Sequence, residues 1–344
     1  MRALDYLKMP LFAAGIATGA KSFRDNPLLG SSRLNERGLH VKRIKFAQRM
    51  SDWRRGKLDG LVDAGAAQHY ERHGYIRHDD VLSASELTAL RQEVERGTFH
   101  AWDMRQGNAV TRFIPLPPEV LRETPALKAF VEGPLFRGGL QYVASTKTDP
   151  IVFLHIVLTD PADGQPDPQT AFHSDTFHAT AKAWFFLYDV DDEEGPFTYV
   201  AGSHRLTPAR LEWERMQSLT AAKDENTLHA RGSFRVTADG VRQMGFADPV
   251  RFAVPGNTLV IADTHGFHAR AKSTRASVRV GIYGSLRRNP YLPFTGFDPF
   301  LWPGLRHRQG QIHMKEKEWT ARIFGKANSH RYAGKISPTA PPTI

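Results

Sequence analysis

Ser277-Val278-Arg279-Val280-Gly281-Ile282-Tyr283 has the two-residue period and β-branched content of a β-strand. Val278, Val280 and Ile282 share one face, and Arg279, Gly281 and Tyr283 share the other. If the valine face packs outward against helices, the arginine points into the fold. A buried guanidinium needs an anionic partner. Working outward, Ile151–Leu158, Ala183–Tyr188, Gly195–Val200 and Asn257–Ala262 also read as strands. Between them, residues 206–245 hold a helical stretch, Ala209–Ala221, and a polar region punctuated by glycine. This predicts a mainly β fold: a double-stranded β-helix (jelly roll) core with flanking helices and a helical insertion.

His173-Ser174-Asp175 places a histidine and a carboxylate at i and i+2, on one face of extended chain. A second imidazole from another strand would complete a facial triad, which holds one side of an octahedral Fe(II) and leaves three positions open. The segment Asp263–His268 offers His268, eleven residues before Arg279, with His265 as the fallback. Arg279 is then the fork for a dicarboxylate tail, with an internal Asp or Glu as its other available partner. Arg275 competes with Arg279 but has a loop-like flank. His178 falls on the opposite face if the strand continues, and lines the substrate side if a loop intervenes.

The chain has 344 residues, 41% hydrophobic and 24% charged, and no cysteine. That composition suits an ordinary globule and excludes disulfides, thiolate nucleophiles and cysteine zinc sites. Three regions are expected. Residues 1–65 form a basic, partly helical extension. Residues 66–300 form the jelly-roll domain with its insertion at about 206–245. Residues 301–344 form a basic segment whose Pro-rich tail is expected to be disordered. Net charge is +10, and residues 1–60 carry thirteen Lys/Arg against five Asp/Glu. Leu39, Phe46, Met50 and Trp53 make a helical stripe that is either packed on the domain or interfacial. Ser83 and Glu86 form a capping-box pattern ahead of a helix ending at Gly97. Met9–Ala20 is shorter than the ~20 apolar residues a bilayer span needs.

His173-Ser174-Asp175, Ala183-Trp184, Asp189–Phe197, Gly202-Ser203-His204-Arg205, and His268 followed by Arg279 resemble, in order and spacing, the phytanoyl-CoA dioxygenase family of Fe(II)/2-oxoglutarate oxygenases. The resemblance covers roughly residues 66–290. It implies that His173, Asp175 and His268 are the catalytic iron ligands. It also implies that Arg279 clamps the 2-oxoglutarate tail and that Trp184 walls that cosubstrate pocket. One position departs: where members can carry a small hydroxyl residue, two places after the distal histidine, this chain has Arg270.

The activity so implied is hydroxylation of an unactivated C–H, with 2-oxoglutarate and O2 as cosubstrates. The basic extension and Arg270 point to a small or amphiphilic, anionic substrate. They also suggest peripheral membrane contact through the N-terminus of a cytoplasmic protein. Nucleic acid is not expected as a partner, because no reader motif or aromatic–basic platform is present. The competing class is a non-catalytic jelly-roll protein that binds a ligand or a membrane.

Overall fold

The computed structural model describes residues 8–162, 164–325 and 328–344. Eleven strands are present among them: β1 (Tyr75–His78), β2 (Phe99–Gln106), β3 (Ala109–Pro115), β4 (Ile151–Thr159), β5 (Ala181–Phe186), β6 (Phe197–Tyr199), β7 (Val250–Arg251), β8 (Thr258–Asp263), β9 (His268–Arg270), β10 (Ser277–Leu286) and β11 (Arg331–Ile336). The larger sheet runs β1-β8-β5-β10-β4-β3-β2-β11, and the smaller runs β7-β6-β9. All pairings are antiparallel. This is a jelly-roll core with flanking helices, as the alternation in the sequence predicts.

The two faces of the large sheet have different work. Val280, Ile282 and Leu286 of β10 enter the main core with Leu154 and Ile156 of β4 and Phe185 of β5. The helix Pro134–Val143 packs there through Phe136, Leu140 and Val143. Arg279, Gly281 and Tyr283 face the other way, toward the small sheet. Gly281 is required by close approach, since a Cβ would lie 2.5 Å from the Phe185 carbonyl oxygen. The domain entry follows its local signals. Gly74 ends the helix Ala64–His73 at φ 85° before β1, and Ser83 and Glu86 close a capping box on Ala84–Arg96.

Two expectations about the ends of the chain are corrected. The helix Leu39–Arg55 does pack on the core, but not by the predicted stripe. Its buried residues include His40, Arg43, Ile44, Ala47, Arg54 and Arg55, while Phe46 and Trp53 remain 47% and 46% exposed. The arginines can turn inward because carbonyls meet them. Arg43 reaches the carbonyls of Ile16, Thr18 and Ala20, and Arg54 reaches those of Ser145, Pro290 and Leu292. The Pro-rich tail is ordered rather than free. The buried Arg112, paired to Asp103 at 2.7 Å, still has donors to satisfy. The carbonyls of Pro338, Ala340 and Pro341 accept from it.

Candidate metal and dicarboxylate site

His173 and His268 stand directly opposite each other on an antiparallel bridge. Each amide donates to the other's carbonyl, at 3.0 and 2.9 Å. His173 lies outside the regular strands, so the His-Ser-Asp segment is a bridge on the edge of the small sheet rather than the continuous strand expected. Asp175 is held two residues on, its amide donating to the Thr264 carbonyl at 2.8 Å. One donor atom from each of His173, Asp175 and His268 lies within 4.8 Å of the others.

The tautomers are set by the backbone. His173 Nδ1 is 2.8 Å from the Ala171 carbonyl, and His268 Nδ1 is 3.0 Å from that of Gly266. A carbonyl only accepts, so both Nδ1 atoms carry the proton and both Nε2 lone pairs are free. Nε2 of His173 lies 3.9 Å from Asp175 Oδ1, and Nε2 of His268 lies 3.7 Å from Asp175 Oδ2. Burial, then the neighbouring His268 and Arg235, holds His173 well below its usual pKa. Burial also brings His268 down to about 4, against the pull of Asp175. Burial works against the Asp175 carboxylate, but Lys182 and the two imidazoles outweigh it and hold it well below its ordinary range. Neutral imidazoles beside an ionised carboxylate are the charge states a divalent metal requires. The donor set therefore fits such an ion.

The imidazoles open into a cavity of about 220 Å³ between the sheets. Lys182, Trp184, His155, Tyr283, Arg270 and Arg279 also line it. Trp184 packs on Phe197, with ring centroids 4.2 Å apart. Arg279 donates through Nη1 to the Gly195 carbonyl at 2.5 Å. Its Nε and Nη2 are buried with no partner among the described residues. Burial, then the adjacent Arg270, lowers Arg279 to about 9. Nε and Nη2 form one edge of the guanidinium, which is a two-pronged donor for a carboxylate. No Asp or Glu among the described residues fills it.

The alternatives left open by the sequence lie elsewhere. His265 is turned to the Thr176 carbonyl at 3.0 Å and is not among the three clustered donors. Arg275 is half exposed and paired with Asp191 and Glu194. His178 is buried, bonded to the Ala179 carbonyl, and does not line the cavity. Arg270 lines the cavity, but its charge is met by buried Asp167 at 2.5 Å.

Lys182 and His155 are cavity residues that the sequence reading missed. Lys182 Nζ lies 2.6 Å from Asp175 Oδ2. Its signal was available, since it stands two residues before Trp184 and so shares its face. His155 stacks on Tyr283 at 5.1 Å and is pushed down to about 3, first by burial and then by Arg270, Arg279 and Lys182. It is the one titratable residue in an otherwise apolar run, Ile151–Leu158.

No protein-family model and no curated protein matches this chain. Among solved structures, the alpha ketoglutarate dependent carbocyclase SnoK from nogalamycin biosynthesis is 22% identical, over 66% of this chain and 84% of that one, at a TM-score of 0.41. HygX from Streptomyces hygroscopicus, with nickel and 2-oxoglutarate bound, is 14% identical over 71% and 94%, at 0.39. EctD from S. alaskensis, with bound Fe, is 15% identical over 65% and 76%, at 0.40. Likeness at these levels carries no functional weight, so the assignment rests on the site's own atoms.

Proposed function

We propose that this chain is an Fe(II)/2-oxoglutarate-dependent oxygenase resembling the phytanoyl-CoA dioxygenase family, and that it hydroxylates an unactivated C–H of a small or amphiphilic, anionic substrate. One observation supports it above the rest. A single cavity is lined both by the two histidines of a two-histidine, one-carboxylate donor set and by a guanidinium edge with no partner among the described residues. Only a ligand with a metal-binding end and a carboxylate tail uses both.

His173 Nε2, His268 Nε2 and the Asp175 carboxylate would hold Fe(II), with Arg279 receiving the far carboxylate of 2-oxoglutarate. When bound, the metal with 2-oxoglutarate and O2 supplies the oxidising chemistry. The chain supplies the rest. The Ala171 and Gly266 carbonyls fix the imidazole rings. Lys182 keeps Asp175 ionised, and the rings of Trp184, Phe197 and Tyr283 exclude water from the cavity wall. The Asp175 carboxylate favours hydroxylation over halogenation, because it stands where a halide would have to bind. Anaerobic addition of Fe(II) and 2-oxoglutarate should give a weak visible absorption band. Asp175→Ala should abolish that band and succinate release; succinate release unaffected in this variant refutes the assignment.

The reading extends to contact with an anionic membrane. No described helix is long and apolar enough to cross one. The helix Leu39–Arg55 exposes Phe46 and Trp53 beside exposed Lys42, Lys45 and Arg49, a pattern suited to anionic lipid. The protein should co-float with phosphatidylserine-containing vesicles at low salt, and the double variant Lys45→Glu/Arg49→Glu should not. Absence of wild-type flotation at low salt removes this part of the proposal.

A further inference from the structure

Four cations from four separate segments converge around Asp175. Lys182 of β5 lies 2.6 Å from Asp175 Oδ2. Lys21, in the N-terminal extension, donates to the Asp175 carbonyl. Arg235 stands across an antiparallel bridge from His173, so the two side chains share a face. Arg287 comes two residues after Ser285, the register partner of Lys182, and continues the same side of the chain. Burial lowers Lys21 to about 8 against the pull of Asp175, and the charges of Arg287, Lys182 and Arg235 each add to the lowering. These four positive groups therefore share one space.

The N-terminal extension is fastened so as to bring Lys21 here. Arg43 holds the carbonyls of Ile16, Thr18 and Ala20. The amides of Phe23 and Arg24 donate to the Ala230 carbonyl at 3.1 and 3.0 Å. Gly232, at φ 81°, lets the chain pass, since a Cβ there would lie 2.1 Å from the Lys21 carbonyl oxygen.

Asp175 is the carboxylate whose charge acts on Lys21, Lys182 and Arg235 alike. Among the described residues, no Asp or Glu side chain forms an ion pair with Lys21, Arg235 or Arg287. One cation is enough to hold one carboxylate. A divalent ion at the triad would take Asp175 as its own ligand and leave all four cations without an anion. Like charges held this close repel one another, and a multiply charged anion among them removes that cost. An anion can reach them, because the Asp175 and Lys182 side chains are each 24% exposed and Arg287 is exposed. Two guanidiniums and an ammonium on separate segments suit the oxygens and double charge of a phosphate better than a single carboxylate.

Resting on the oxygenase reading above, we infer that Lys21, Arg235 and Arg287 form the binding site for a phosphate group of the substrate, so that the chain acts on a phosphomonoester whose anionic head lies beside the triad. The N-terminal extension thereby supplies part of the substrate site.

The test is calorimetric titration of phenyl phosphate, and separately of benzoate, into protein loaded anaerobically with Fe(II) and 2-oxoglutarate. Wild type should bind phenyl phosphate, and should bind the singly charged benzoate roughly tenfold more weakly. Arg287→Met removes an exposed guanidinium and should raise the Kd for phenyl phosphate roughly tenfold, the loss expected for one hydrogen bond between charged groups. Lys21→Met and Arg235→Met should act in the same direction. Arg287→Lys should stay within about threefold of wild type, because it keeps the charge. The Kd for 2-oxoglutarate and the visible band of the loaded protein should be unchanged in Arg287→Met. Arg37, exposed on the same N-terminal extension, is the control for bulk charge, and Arg37→Met should leave the phenyl phosphate Kd unchanged. No binding by wild type overturns the inference, as does equal affinity for benzoate. A Kd for Arg287→Met within about twofold of wild type also overturns it, since a phosphate held by the metal alone would not feel that residue. Absence of the visible band in wild type is a separate result and would overturn the oxygenase reading itself.

Discussion

Lys182 shows what a single residue does to this site. Its ammonium lies 2.6 Å from Asp175 Oδ2, so without a metal it is the main cation on a carboxylate packed among neutral imidazoles. Lys182→Met should therefore destabilise the metal-free protein by roughly 1 kcal/mol, the lower end of the cost of leaving an ionised group without its partner, because the Asp175 side chain is 24% exposed. A divalent ion would replace the lost cation, so the rise in Tm on adding Co(II) should be larger in the variant than in wild type. Equal rises would show that the lysine does not support the carboxylate. The residues differ in how far sequence reveals them. Arg279 and His268 can be read because strand alternation and a fixed separation single them out. Lys182 falls just outside the strand as read from Ala183, although β5 begins at Ala181.

Among the elements, those with strong local signals were legible: the capped helix Ala84–Arg96, the glycine-ended helix before β1, and the alternating strands β4 and β10. The helix Leu39–Arg55 was legible as a helix but not in its packing face. Its buried arginines are tolerated because partners distant in sequence accept from them: carbonyls for Arg43 and Arg54, and the Tyr70 hydroxyl for Arg55. The tail misleads for the same reason, because its anchor is Arg112 on β3. Breaking that anchor should release the element. Arg112→Met leaves the fully buried Asp103 without its fork and should cost about 3–5 kcal/mol. Limited proteolysis should then cleave beyond Ile336 while the wild-type tail stays protected. Unchanged protection would mean that the tail is held by its other contacts.

At the scale of the whole molecule, histidines kept neutral by burial govern the response to acid. His155 and His178 are pushed down to about 3, and His268 and His330 to about 4, in each case chiefly by desolvation. In the unfolded chain the same rings take up protons near pH 6.5. Between those limits the unfolded state binds more protons. Their contribution to stability is thus complete above about pH 6.5 and is lost as pH falls toward 4 and then 3. The urea midpoint of the metal-free protein should be lower at pH 5 than at pH 7.5, and His155→Gln should narrow the difference. A midpoint independent of pH across that range would contradict the burial of these rings.

The paired imidazoles carry one more consequence. Because His173 and His268 are fastened by each other's backbone amides and carbonyls, the donor set is assembled before any ion arrives. Two imidazoles and one carboxylate suit several divalent ions by ligand type, and first-row affinities at such a site follow the Irving–Williams order, in which nickel and copper outrank iron. Which ion the protein carries in a cell would be decided by the metal pool it meets rather than by its fold, and protein purified on nickel resin should be stripped before it is loaded.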